Sequence, residues 1–173
     1  MTRRVAVWDI GTRLFHWSLV GLFLANAFFT RPGKEVHRWV GYTLAALVLF
    51  RLVWGLVGPA YARFASFLPS PSGAVGEVTD ILSGRRHAHE GHSPLGALMV
   101  YNLLLTMAAI IATGYAQTTV TFFGVEWIEE VHGALVTWAE ISVVVHVSAV
   151  LLQSLRLGIN LPKSMITGYK DLP

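Results

Sequence analysis

Four long segments of this chain are almost free of charge: residues 14–30, 36–57, 95–115 and 131–157. They constrain the fold more than any motif does. A membrane hydrocarbon core roughly 30 Å thick is crossed by about 20 apolar residues in a helix, with about 17 as the lower bound. Each segment is long enough. Barrel strands would alternate polar and apolar residues over about 10 positions, whereas these runs are apolar on every side. The expected fold is therefore all-α, a transmembrane four-helix bundle.

A water-soluble bundle of buried helices is the alternative. With 54% of its 173 residues hydrophobic and only 13% charged, the chain reads instead as one multi-pass integral membrane domain over residues 1–173, in contact with lipid. The first run imitates a secretory leader, with Arg3 and Arg4 ahead of it and Ala25-Asn26-Ala27 in place of a cleavage site. Asp9 and Arg13 crowd that leader, no soluble domain follows that would need export, and the run is taken as a span. There are no cysteines, which excludes disulfides, iron-sulfur clusters, cysteine-ligated zinc and covalent haem attachment.

Basic residues beside the spans set the orientation. Arg3, Arg4 and Arg13 precede the first span, Arg63, Arg85 and Arg86 lie between the second and third, and Arg156, Lys163 and Lys170 follow the fourth. The other side has Arg31, Lys34 and Arg38, then a loop with Glu126, Glu129 and Glu130. Both termini are expected in the cytoplasm. The net charge of +3 reflects this asymmetry and calls for no nucleic-acid partner.

Residues 58–94 form the expected cytoplasmic loop. Within it Val75, Val78, Ile81 and Leu82 have helical spacing, which suggests a short helix along the membrane surface. Ser93 and Pro94 are suited to the N-cap and first position of the third span. That places His92 at the cytoplasmic surface, touching an inner cofactor or a quinone, or solvated. His87 and His89 read as solvated loop residues. Trp127 and Phe122, in the loop between the third and fourth spans, suit the opposite interface.

Of seven histidines, four lie in or at the spans: His16, His37, His132 and His146. Ionisable groups there point to a pathway or a cofactor. His132 and His146 are 14 residues apart, about 40° short of four full turns, so they share a helix face at two depths about 21 Å apart. With antiparallel neighbours, His132 meets the level of His37 and His146 meets that of His16. Facing pairs at two depths are what two bis-histidine haem b groups require, because bundles build cofactor sites from facing side chains. Haem propionates need cationic partners. Arg13 lies one turn from His16, Arg38 adjoins His37, and Arg51 lies 14 residues beyond His37. Arg51 suits a propionate or snorkelling to the membrane edge equally well.

Gly41, one turn from His37, leaves room for a ring or for close helix packing. A zinc site would gather three or more ligands within a short radius, which pairs about 21 Å apart do not. Glu140, about 80° around the helix from His132, is placed to move a proton or to hydrogen-bond a neighbouring helix.

Several stretches resemble one family. Val7-Trp8-Asp9, Thr12-Arg13-Leu14-Phe15-His16-Trp17, His37-x-x-x-Gly41-Tyr42, Arg51-x-x-Trp54-Gly55, Ala62-Arg63-Phe64, Gly91-His92-Ser93-Pro94-x-Gly96, Asn160-Leu161 and Met165-x-x-Gly168-Tyr169-Lys170 are similar to the bacterial cytochrome b561 family. That family includes the b-type cytochrome subunits of nickel-iron hydrogenases. Ser93 departs from the usual Gly-His-Asn-Pro, and the loop between the third and fourth spans is shorter than in hydrogenase-type members. The resemblance implies a di-haem cytochrome of the bacterial inner membrane, with His16 and His146 on the inner haem and His37 and His132 on the outer. It further implies electron exchange between ubiquinone or menaquinone and a periplasmic cytochrome c, or a small oxidant such as superoxide. A haem-bearing anchor for a dehydrogenase or hydrogenase is the alternative. A proton-coupled transporter, from another class, would show inverted repeats or helices broken in mid-membrane, and neither is apparent.

Overall fold

The computed structural model describes residues 3–172. Strand β1 (Arg3–Ala6) is followed by helices α1 (Ile10–Phe28), α2 (Glu35–Val57), α3 (Pro71–Leu82), α4 (Pro94–Ala116), α5 (Glu126–Leu157) and α6 (Leu161–Thr167), and by strand β2 (Tyr169–Leu172). Helices α2, α4 and α5 are long and apolar enough to cross a membrane. The fourth expected span, α1, has 19 residues and carries Arg13, His16 and Asn26, which set its composition apart. Leu49, Leu56, Val144 and Leu155 are among the many large apolar side chains facing outward, as lipid contact requires.

Local chemistry fixes the helix ends. The first helix starts four residues before the expected Leu14, because Asp9 caps it by accepting from the Thr12 backbone N–H at 3.0 Å. Ser93 caps α4 through the Gly96 N–H, with Pro94 at the first position, as anticipated. The fourth long helix starts five residues before Val131, with Glu126 and Glu129 in its first turn, where carboxylates favour the helix dipole. It ends at Gly158, whose φ of 67° needs no side-chain accommodation. The short helix in the 58–94 loop exists as α3, capped by Ser70. Ala74 is its buried side, whereas Val75, Val78 and Leu82 point outward.

One element was not expected of an all-α chain. Strands β1 and β2 pair antiparallel, Arg3 with Leu172 and Ala6 with Tyr169, and bring the two ends of the chain to one side of the bundle. That side, the ribbon side, also carries α3 and α6.

Packing runs α1 on α2, α2 on α4 and α4 on α5. The core holds Phe23, Leu44, Val48, Met107, Ile110 and Ala139. Phe23 is midway between His16 and Thr30 in sequence, Leu44 midway between His37 and Arg51, and Ala139 midway between His132 and His146. The driest layer of the bundle therefore separates two polar levels.

Candidate functional site

At the far level, His37 from the first turns of α2 and His132 from α5 face each other, with ring centroids 6.5 Å apart and planes at 71°. Two metal–nitrogen bonds of about 2.0 Å, added to the two ring radii, need a separation close to this. Each ring is held from behind. Thr30 Oγ1 lies 2.9 Å from His37 Nδ1, and Thr113 Oγ1 lies 2.9 Å from His132 Nδ1. Gly114, one residue on, leaves the His132 ring its place: a Cβ there would stand 3.1 Å from Cε1. Gly41 faces open space. Arg38 is exposed at the rim of this level.

At the ribbon level, His16 of α1 and His146 of α5 lie within electrostatic reach of each other. His16 also meets the edge of Trp17 at 5.0 Å, and Trp17 in turn donates to the Met165 carbonyl. Arg51 is only 3% exposed. Its guanidinium lies 4.7 Å from the centre of the Phe64 ring and 5.9 Å from that of Phe67, an arrangement that suits a cation on aromatic faces. Phe64 in turn lies directly on the α2 backbone at Gly55, where any Cβ would collide with it.

His92 completes this level. Its ring packs 4.2 Å from Phe67 and 4.9 Å from Trp8. Burial, then the charges of Lys170, Arg51 and His146, push its pKa down to about 3. Lys170, 6% exposed, donates to the carbonyls of Gly91 at 2.8 Å and His89 at 3.2 Å. Burial pushes its pKa down to about 8. The ribbon thus clamps the segment that carries His92.

Asp9 joins α1 to α2. Burial pushes its pKa up, but hydrogen bonds from the Thr12 hydroxyl and backbone and from Trp54 outweigh that and leave it below the usual value.

Four buried side-chain atoms among the described residues have no hydrogen-bond partner: Arg13 Nε, His16 Nδ1, Arg51 Nη1 and His92 Nδ1. All four belong to the ribbon level. Buried polar groups are nearly always satisfied, and a buried guanidinium N–H without an acceptor is costly. The cluster therefore fits a ligand that brings negative charge and acceptor atoms. Arg13 is already partly committed, donating from Nη1 to the Ile166 carbonyl at 2.5 Å.

The structure thus brings together the predicted residues His37 and His132 at one level, and His16 and His146 at the other with Arg51. The side chains of His87 and His89 are exposed and apart from both, His87 lying 3.7 Å from Asp80 at the surface. Glu140 is half-buried in α5. Thr30 and Thr113 were missed by sequence reasoning. A hydroxyl at the end of one apolar run and another inside a second was the available signal.

Comparison with curated proteins and with solved structures gives no significant match. The sequence pattern described as prokaryotic cytochrome b561 matches residues 7–168, which takes in every histidine, arginine and aromatic residue of both levels. This chain therefore belongs to the prokaryotic cytochrome b561 family, b-type membrane cytochromes of electron transfer.

Proposed function

We propose that the chain holds two haem b groups, one at each level, and carries electrons across the membrane between the quinone pool and a redox partner on the far side. His37 and His132 are assigned to the far haem, and His16 and His146 to the ribbon-side haem. The observation that carries this reading is the pair of histidine levels, 14 residues apart on α5, with the far pair already at a separation suited to a shared metal. The basic residues near the termini support a ribbon side that faces the cytoplasm of a bacterial inner membrane.

A haem held by two imidazoles would supply one-electron chemistry, exchanging electrons without binding oxygen. The chain's own residues do the rest. His37 with His132, and His16 with His146, would hold the two groups at the two levels. Arg51 offers an unpaired N–H, and His92 an unpaired Nδ1, to the carboxylates of the ribbon-side group. Phe23, Leu44, Val48 and Ala139 keep water out between the levels. Quinone reaches the sites from the lipid. A periplasmic cytochrome c or a small oxidant such as superoxide exchanges electrons at the far level.

Haem quantitation and a reduced-minus-oxidised spectrum of the full chain purified in detergent test this reading. Two b haems per chain are expected, falling to one in His132→Ala and in His16→Ala. A haem-replete preparation without a b-type band, or a variant that keeps both haems, rules the assignment out.

A further inference from the structure

Hydroxyl groups behind the two far-level histidines dictate which ring nitrogen carries the proton. Thr113 Oγ1 lies 2.8 Å from the Ala109 carbonyl and 3.0 Å from that of Ile110. A carbonyl accepts only, so the hydroxyl proton is spent there. The remaining contact, 2.9 Å to His132 Nδ1, must then run from the ring N–H to Oγ1. Thr30 repeats the arrangement. Its Oγ1 is 2.8 Å from both the Asn26 carbonyl and Asn26 Oδ1, and 2.9 Å from His37 Nδ1. Both far-level imidazoles are therefore Nδ1–H tautomers, with the Nε2 lone pair left for a metal.

The ribbon level is built differently. His16 Nδ1 is buried with no partner, and among the described residues no hydrogen bond to the His146 ring is made. The two ligand pairs thus differ in the groups behind them, although each is a pair of histidines.

We infer that Thr30 and Thr113 are positioning residues that make the far pair the more strongly donating one and hold the far haem's midpoint potential below the value it would have without them. This rests on the two-haem reading above. A ligating imidazole whose other N–H is hydrogen-bonded is more basic and fixed in orientation. The ferric state, carrying more positive charge, gains more from a basic ligand than the ferrous state does.

The experiment is a potentiometric titration of the full chain in detergent, with the two b bands resolved and electron paramagnetic resonance of the oxidised form recorded alongside. Wild type is compared with Thr30→Val, Thr113→Val, the double variant and Thr113→Ser. One of the two potentials rises in the valine variants and the other stays put. Losing such a partner typically weakens metal binding by about 10–100-fold, and a tenfold loss confined to the ferric form is a rise of about 59 mV in a one-electron couple. Thr113→Ser restores the wild-type value. Selective loss of one haem in the valine variants, reversed by serine, also supports the inference. Unchanged potentials, equal shifts of both, or a serine variant that behaves like valine overturns it. His132→Ala separates the two layers of argument: if it keeps both haems, the ligand assignment has failed, whatever the threonines do.

Discussion

Trp54 donates its indole N–H to Asp9 Oδ1 at 2.9 Å, and the same carboxylate caps α1 through Thr12 N–H and Thr12 Oγ1. One side chain thus starts the first helix and pins it to the ribbon-side end of the second. Replacing an N-cap by alanine costs about 0.5–2 kcal/mol, and here it also leaves the indole N–H without its acceptor. Asp9→Ala is expected to lower the unfolding temperature clearly more than Asp9→Asn, since asparagine caps as well as aspartate and retains one acceptor oxygen. Equal losses in the two variants would show that the cap geometry is not what matters.

Gly55 has a comparable role in packing, because the Phe64 ring occupies the space of its missing Cβ. Adding a methyl group there pushes Phe64 outward, and Phe64 is the face on which the Arg51 guanidinium rests. Overpacking of this kind costs about 1–3 kcal/mol. Gly55→Ala is therefore expected to destabilise the fold by that order in a chemical or thermal unfolding series. Under the two-haem reading it also weakens the ribbon-side haem and leaves the far one intact. A variant with wild-type stability means that Phe64 moves away at no cost.

The two levels were legible in the sequence because a helix has one period. A 14-residue step keeps His132 and His146 on one face, and antiparallel neighbours supply His37 and His16. The cap at Ser93 was legible too, as a short-range pattern. Asp9 was equally local, three residues before Thr12, yet the apolar window that began at Leu14 hid it. Other features were beyond any local pattern. The ribbon joins residues 3–6 to 169–172, and neither strand alone is long enough to announce itself. Thr30 and Thr113 acquire their part only when α1 meets α2 and α4 meets α5. The dense cluster His87, His89 and His92 divides in the fold: His87 stays at the surface, and His92 turns inward against Phe67 and Trp8.

Arg51 offers a direct test of the anionic ligand. Its buried Nη1 has no partner, and no carboxylate forms an ion pair with it among the described residues. If a haem carboxylate is what satisfies it, Arg51→Met keeps the stem's packing and loses the charge. Haem titration of the apoprotein is expected to show the ribbon-side site weakened by about 10–100-fold, the usual loss for a supporting contact, with the far site unaffected. Arg51→Lys is expected to recover only part of this, since an ammonium lacks the planar fork of the guanidinium. Wild-type affinity in Arg51→Met would assign the residue to packing alone.

His92 links acidity to stability. Its pKa in the fold is about 3, against 6.5 for a free histidine, because burial comes first and the nearby cations of Lys170 and Arg51 follow. Between these values the unfolded chain binds a proton that the folded chain does not, so unfolding becomes more favourable as pH falls. The contribution of His92 is complete above about pH 6.5 and is lost progressively from there down to about pH 3. Haem-free wild-type protein is therefore expected to lose unfolding temperature across this window faster than haem-free His92→Phe, which retains an aromatic ring between Phe67 and Trp8 and has nothing to protonate. Comparing the two proteins at each pH removes the titration of every other group. Parallel curves from pH 7 to pH 4 would mean that His92 charges in place, with its unpaired Nδ1 reaching an acceptor.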